Sequence, residues 1–162
     1  MNIFLKLKHW QIFLIWIIGT IQMFIFLKSD FWFLSFGLYI GLFLGWIYSI
    51  GNVMNKNVEL NNGIKTWWIL YLISLIPFGL NARDMFTQSY DRIDSWIIAL
   101  AGIIGLIAIT KIVIFSAKAL KRAESNTEHK TTDLILEIFL IYFFTIGIWI
   151  LQPRLNKLMK KK

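Results

Sequence analysis

The sequence predicts an all-α integral membrane bundle, and three observations support this. Of the 162 residues, 57% are hydrophobic and 17% aromatic, whereas a soluble domain contains about 45–50% apolar residues. The apolar residues fall into long runs separated by short polar stretches, and a run of about 17–25 residues can cross a bilayer as a helix. Tryptophan stands at or near the start of most of these runs, as is typical of helices that enter the membrane interface.

Four of the runs predict membrane-spanning helices, and the whole chain, 1–162, is predicted to form one membrane domain. The spans are expected at about 10–27, 31–51, 64–80 and 96–117. In the third, Pro77 predicts a kink or an early stop, because proline removes a backbone hydrogen bond. The fourth is expected to continue beyond the lipid as the polar helix SAKALKRAES.

The fifth run, 134–151, is ambiguous. Glu137 leaves only 138–151 uncharged, and runs of about 10–14 residues are more often re-entrant or interfacial than spanning. The run therefore predicts a re-entrant, interfacial or fifth spanning helix, followed by a basic tail over 152–162. If it turns back, the turn is expected near 145–147.

The distribution of positive charge favours a turn back. If all five runs cross, two equal sets of cations face the two sides: Lys6, Lys8, Lys56, Lys65, Lys118, Lys121, Arg122 and Lys130 on one, and Lys28, Arg83, Arg92, Arg154, Lys157, Lys160, Lys161 and Lys162 on the other. If the last run returns, its five tail cations join the first set and a clear positive-inside bias appears. That bias predicts a cytoplasmic N-terminus.

Several stretches resemble an uncharacterised family of small bacterial polytopic membrane proteins. They are KLKHWQIFL, GWIYSIGNVMNK, AKALKRAE and IFLIYFFTIGIWILQPRLNKL. Members of that family often carry proline where this chain has Thr145. The resemblance implies a multi-pass protein of the bacterial inner membrane and carries no activity with it.

Small residues mark one face of the second predicted helix. Gly37, Gly41, Gly45 and Ser49 follow one another at a spacing of four, which places them above one another on a helix. Such a glycine zipper lets a second helix approach closely. A complementary small face on the fourth helix consists of Ala101, Gly105 and Ala108. The two faces are expected to pack together inside one subunit, or the stripe is expected to build a homo-oligomer.

Charged side chains suggest two further contacts. Lys111 and Glu137 lie within apolar runs at a similar depth, and they are expected to form an intramembrane pair. A second set of cations flanks the apolar runs and is expected to contact anionic lipid headgroups: Lys118, Lys121, Arg122, Arg154 and Lys157. Pro153 is expected to break the helix between these anchors.

The sequence also limits the function classes. It has no cysteine and no HxH or HExxH pair, so neither a catalytic, metal nor cofactor site is predicted. Its cations are spread over loops and tails, which argues against nucleic-acid binding. The leading hypothesis is a non-catalytic membrane protein that acts through helix packing with itself or a membrane partner. A homo-oligomeric channel or permeabilising pore is the alternative, and a membrane enzyme is the third.

Overall fold

The computed structural model describes residues 3–26, 32–54, 58–87, 94–125 and 131–160. Within these ranges nearly every residue lies in a helix and none lies in a strand, which confirms the all-α prediction. A short N-terminal 3₁₀ turn is followed by six α-helices, with a second 3₁₀ turn at Thr131–Leu134. In chain order the elements are the N-terminal turn (Ile3–Leu5), α1 (His9–Phe26), α2 (Trp32–Met54), α3 (Val58–Thr87), α4 (Ser95–Ser125), α5 (Ile135–Tyr142) and α6 (Phe144–Lys160).

One helix in the described part of the chain, Ser95–Ser125, is long and apolar enough to cross a membrane. The helix pair Thr132–Tyr142 and Phe144–Lys160 passes the same test only if it is counted as one bent element. Two shorter apolar helical stretches lie at Phe36–Asn52 and Ile64–Gly79. A membrane-spanning helix is thus supported, whereas the number of crossings stays a prediction.

The early stop expected at Pro77 and the helix break expected at Pro153 are both wrong, while a kink at Pro77 stays a prediction. The helix α3 continues through Pro77, because its next turn packs against α4, where the ring of Phe78 lies over Gly102. The helix α6 continues through Pro153 to Lys160, since an exposed proline removes one hydrogen bond while the helix face beside it stays packed. The polar extension of α4 runs to Ser125 as expected.

The hydrophobic core is concentrated at one end of the bundle. Its largest fully buried side chains come from the C-terminal halves of α2 and α4 and from the last two helices: Trp46, Ile47, Ile50, Ile112, Leu120, Ile141, Ile148, Leu151 and Leu155. The N-terminal turn adds Leu5 to the same core. This end, which contains the polar extension of α4, also contains the candidate site.

Candidate functional site

The C-terminal element is a bent helical hairpin. The helices α5 and α6 differ in direction by 115°, and the break is at Phe143, whose φ of −87° and ψ of 62° match an inverse γ-turn. The turn therefore comes two residues before the predicted 145–147 stretch. Gly147 allows α6 to cross close to α5 after this turn, because any side chain at position 147 would overlap the backbone carbonyl of Leu140.

Contacts with α4 show that the hairpin leaves and returns to the same end of the bundle. At its start, Glu137 lies beside Lys121 of α4. At its turn, the Tyr142 hydroxyl and the Thr110 hydroxyl are 2.7 Å apart. Thr110 and Lys121 are eleven residues apart in α4, which corresponds to about 16 Å of helix. Further along α6, Arg154 forms an ion pair with Glu124 of α4. The chain has therefore returned to the end of α4 at which Glu137 contacts Lys121.

A charged cluster, consisting of Lys121, Glu124, Glu137 and Arg154, joins α4, α5 and α6 at this end. Arg154 donates from Nε and Nη2 to the two carboxylate oxygens of Glu124 at 2.8 and 2.6 Å. Its Nη2 also donates to Glu137 Oε1 at 2.9 Å, and Lys121 Nζ donates to the same oxygen at 3.1 Å. Two cations thus share one carboxylate oxygen.

Glu137 is the buried member of the charged cluster. Its side chain is 1% exposed, against 29–30% for Arg154 and Lys121. Its second oxygen, Oε2, is buried and has no hydrogen-bond partner among the described residues. A buried carboxylate costs free energy unless it is paired, so the two cations are what keep Glu137 ionised.

The pKa values of the cluster reflect this pairing. Burial raises the pKa of the Glu137 carboxyl, but the hydrogen bonds from Arg154 and Lys121 outweigh burial and hold that pKa below its usual range. The hydrogen bond to Glu124 raises the pKa of the Arg154 guanidinium; burial opposes this, and the bond to Glu137 reinforces it. Both shifts favour the charged forms of Glu137 and Arg154.

The sequence prediction of a Lys111–Glu137 pair is wrong. Lys111 is exposed, and its Nζ lies 6.0 Å from the centroid of the Trp67 ring on α3. The pair is not made because Lys111 lies at the depth of the hairpin turn, one residue from Thr110, whereas Glu137 lies at its entrance beside Lys121.

Gln152 is a second polar centre at this end, and it is fully buried. Its Oε1 accepts a hydrogen bond from the indole nitrogen of Trp46 at 2.9 Å. Its Nε2 donates to the backbone carbonyls of Phe4 and Leu7, each at 2.8 Å. Gln152 therefore fixes α6 to α2 and to the N-terminal turn at once.

The glycine stripe of α2 is divided between two environments. A Cβ at Gly37 or Gly41 would have nothing within 4 Å, and both glycines are exposed. At Gly45 the same atom would lie 2.7 Å from the Phe4 ring. Ser49 is buried and donates to its own helix, at the carbonyl of Gly45. Half of the stripe is thus open, and the next position is covered by the N-terminal turn.

The small face of α4 does not pack on this stripe, so the expected packing partner is wrong. Ala101, Gly105 and Ala108 are buried, and Gly105 is in contact with Ser74 of α3. The helices α2 and α4 meet further along, where Gly51 touches Phe115 and Ser116. The two helices are offset along their lengths, so that the polar extension of α4 lies against the last turns of α2 and not against the open glycines of the stripe.

The five predicted lipid-contact cations also divide. Lys118 and Lys157 are exposed, and their contact with lipid headgroups stays a prediction. Arg154 and Lys121 are bound to acidic side chains of the cluster, so their role as free headgroup anchors is corrected, because α5 and α6 supply partners that the sequence separates widely. Arg122 is half-buried.

The sequence interpretation missed the contacts of three residues: Gln152, Trp46 and Gly147. For Gln152, the one feature in the sequence that could have indicated a buried role is its position as an amide side chain at the end of an apolar run.

Across the described residues, no group of three or more His, Cys, Asp or Glu side chains is placed to hold a metal ion.

The fold and the site define an all-α protein with an apolar span and a polar cluster at one end. Comparison with family models, curated proteins and solved structures finds no match. The family resemblance of the sequence therefore stays a prediction.

Proposed function

We propose that this chain is a multi-pass protein of the bacterial inner membrane that acts without catalysis, through helix packing with itself or with a membrane partner. Its N-terminus and the charged cluster would face the cytoplasm. One observation carries the packing part of this proposal: the open half of the glycine stripe, Gly37 and Gly41, on a helix whose other half is packed.

The outer surfaces of three helices support membrane embedding. Large apolar side chains that are 38–69% exposed cover one side of each: Leu14, Ile15, Ile18, Ile21, Phe24 and Ile25 on α1, Ile69, Leu72, Ile73 and Ile76 on α3, and Leu100, Ile103, Ile104, Leu106 and Ile107 on α4. Soluble monomers rarely expose continuous apolar surface on this scale. Lipid is the solvent that such surfaces suit.

The hairpin supports the proposed orientation. Its return to the end of α4 from which it left would put the basic residues after Arg154 on the same side as Lys6 and Lys8, as the positive-inside rule favours. Its depth of about 16 Å, from Lys121 to Thr110, is about half of a hydrocarbon core of ~30 Å. A re-entrant element has this depth.

The open stripe supports association because it combines a flat backbone surface with apolar flanks. Leu38, between the two open glycines, is 49% exposed. In lipid, close backbone approach at small residues drives helix association. The neighbouring Gly45 shows the same surface in use, with an aromatic ring of the same chain seated on it.

Leucine substitutions at three glycines test this proposal, with the particle mass in detergent as the measurement. Gly41→Leu should fold normally and lower the mass, because its side chain enters open space in the subunit and blocks a partner. Gly79→Leu is the matched control, since Gly79 on α3 is also open within the subunit, and it should leave the mass unchanged. Gly45→Leu should destabilise the subunit itself through its clash with Phe4. If wild type and Gly41→Leu are both monomers, self-association is refuted, and affinity capture from membranes with the two variants then tests a partner.

The pore and enzyme hypotheses make different demands. A pore requires ion flux from liposomes that contain the wild-type protein, and loss of that flux in Gly41→Leu. An enzyme requires Lys111 or the charged cluster to be indispensable, which alanine substitution tests.

A further inference from the structure

A groove lies between α2 and α3 at the same end of the bundle as the charged cluster. The groove, counted together with the open space at its mouth, takes in about 300 Å³. Tyr48 and Asn52 line it from α2, Lys65 and Trp68 from α3, and Phe115 of α4 lies beneath. None of these residues belongs to the charged cluster or to the glycine stripe.

The groove exists because α2 and α3 both pack on α4 and make few contacts with each other. On one side, Gly51 allows α2 to reach α4 so closely that a Cβ would lie 2.9 Å from Phe115 Cε1, and Ser116 Oγ donates to the Ile47 carbonyl at 3.3 Å. Between α2 and α3, the rings of Tyr48 and Trp68 meet edge to face at 5.7 Å. These two contacts fix the walls, so the opening is part of the packed fold.

The groove lies where both helices change from apolar to polar sequence. The apolar stretch of α2 ends at Asn52, and that of α3 begins at Ile64; both residues line the groove. In a membrane-embedded chain this is the depth of the lipid headgroups, where tryptophan and tyrosine rings are enriched.

The lining is amphipathic and carries positive charge. Lys65 is exposed and is the only charged side chain among the described residues that line the groove. Asn52 Nδ2 donates to the Tyr48 hydroxyl at 3.2 Å, which leaves the second amide hydrogen and the Tyr48 hydroxyl hydrogen available at the rim. Trp68, Phe115 and Ile64 form the apolar part.

We propose that this groove binds one anionic phospholipid, such as phosphatidylglycerol. The phosphate would pair with Lys65, the Tyr48 and Asn52 donors would face the phosphate and ester oxygens, and an acyl chain would follow Trp68 and Phe115. A cation and hydrogen-bond donors above an aromatic wall match a phosphodiester joined to a hydrocarbon chain. This proposal rests on the membrane embedding proposed above.

Native mass spectrometry of the protein extracted in mild detergent tests the groove. The wild type, incubated with equal amounts of phosphatidylglycerol and phosphatidylcholine, should retain one phosphatidylglycerol. Lys65→Gln should lower that retention several-fold. Lys6→Gln, which removes an exposed cation next to the N-terminal turn at the same end, should leave it within about twofold. Asn52→Asp should also lower it, because it adds a repelling charge at the rim.

Three results would overturn the proposal: equal retention of the two lipids by the wild type, equal losses in Lys65→Gln and Lys6→Gln, or no loss in Lys65→Gln and Asn52→Asp. Carbonate extraction of the same membranes separates these results from failure of the embedding. A chain released by carbonate refutes the embedding and the groove together. A chain that stays in the membrane without lipid selectivity refutes the groove alone.

Discussion

The α-carbon of Gly147 lies so close to the carbonyl oxygen of Leu140 that no side chain fits between them. This contact lets α6 cross α5 directly after the turn at Phe143. The position of the whole C-terminal hairpin therefore depends on one missing methyl group.

We expect Gly147→Ala to destabilise the protein by about 1–3 kcal/mol or more, because the added methyl overlaps rigid backbone. The measurement is the unfolding midpoint in a titration of dodecyl maltoside micelles with sodium dodecyl sulfate, followed by circular dichroism. Gly79→Ala, at an open helical glycine, should be neutral or stabilising by about 0.5–1 kcal/mol. Equal midpoints for the two variants would contradict the close contact.

Glu137→Gln should weaken the attachment of the hairpin to α4. Removing one partner of a buried pair costs about 3–5 kcal/mol, and we expect about 1–3 kcal/mol here, because Lys121 and Arg154 are partly exposed and Arg154 keeps Glu124. The same titration measures this. Glu124→Gln should cost less, since the Glu124 side chain is 25% exposed and water can replace it. A larger loss in Glu124→Gln would reverse the assigned roles.

The stability of the wild type should fall on acidification. The pKa of Glu137 is lower in the folded protein than in the unfolded chain, whose glutamates titrate near 4.3. The stabilisation that ionised Glu137 gives to the folded protein is therefore complete above about pH 5, and it is lost as the pH falls through the folded-state pKa. Unfolding midpoints measured from pH 7 to pH 3 should decline more steeply in the wild type than in Glu137→Gln. Parallel declines would show that other groups dominate.

Gln152→Leu should release the N-terminal turn. It leaves the Trp46 indole and the Phe4 carbonyl without their buried partner, at a cost of about 1–3 kcal/mol, whereas the Leu7 carbonyl keeps its hydrogen bond from Asn156 Nδ2. Trypsin cleavage at Lys6 and Lys8 should then be about tenfold faster, since cleavage follows the population of the open form. Gln11→Leu is the control: Gln11 caps the exposed Lys8 amide, which water can satisfy, so the rate should change by less than about threefold. Equal rates for both variants would argue against the buried amide as the restraint.

Single cysteines placed in this cysteine-free chain test the proposed orientation. Lys160→Cys lies in the last turn of α6, and Asp94→Cys lies at the other end of α4. An impermeant maleimide added to intact cells should label Asp94→Cys and not Lys160→Cys, and both should react after the membrane is opened. Labelling of both from outside would establish a fifth crossing.

The sequence was informative wherever the cause of a structure is local. Apolar runs produced helices, and the polar stretch after Ala117 continued α4 to Ser125, because helix propensity and hydrophobic patterning act over neighbouring residues. The turn in the last run was anticipated within two residues. The crossing at Gly147 was not anticipated, since a glycine near a turn and a glycine at a helix crossing look alike in sequence.

Partners distant in the chain were the part that could not be predicted. Glu137 pairs with Lys121 and Arg154 because the hairpin turns at Phe143, and a small difference in that turn changes which cations it meets. The stripe on α2 was predicted to face α4, but Phe4, forty-one residues earlier, covers Gly45. Burial of Gln152 depends on the same N-terminal turn. Such contacts follow from the assembled packing, which no periodicity in the sequence encodes.

The bond from Gln152 to the Phe4 carbonyl joins residues 148 positions apart, and this has a consequence for biogenesis. During synthesis, the N-terminal turn cannot meet its amide partner until the ribosome has added the 148 residues from Leu5 to Gln152. The helices α2 and α4 can associate earlier, since all of their contacts lie within the first 125 residues. Attachment of the N-terminal turn to α6 is then a late step in folding, and a chain truncated before Gln152 would leave Phe4 without the bond that holds it over Gly45.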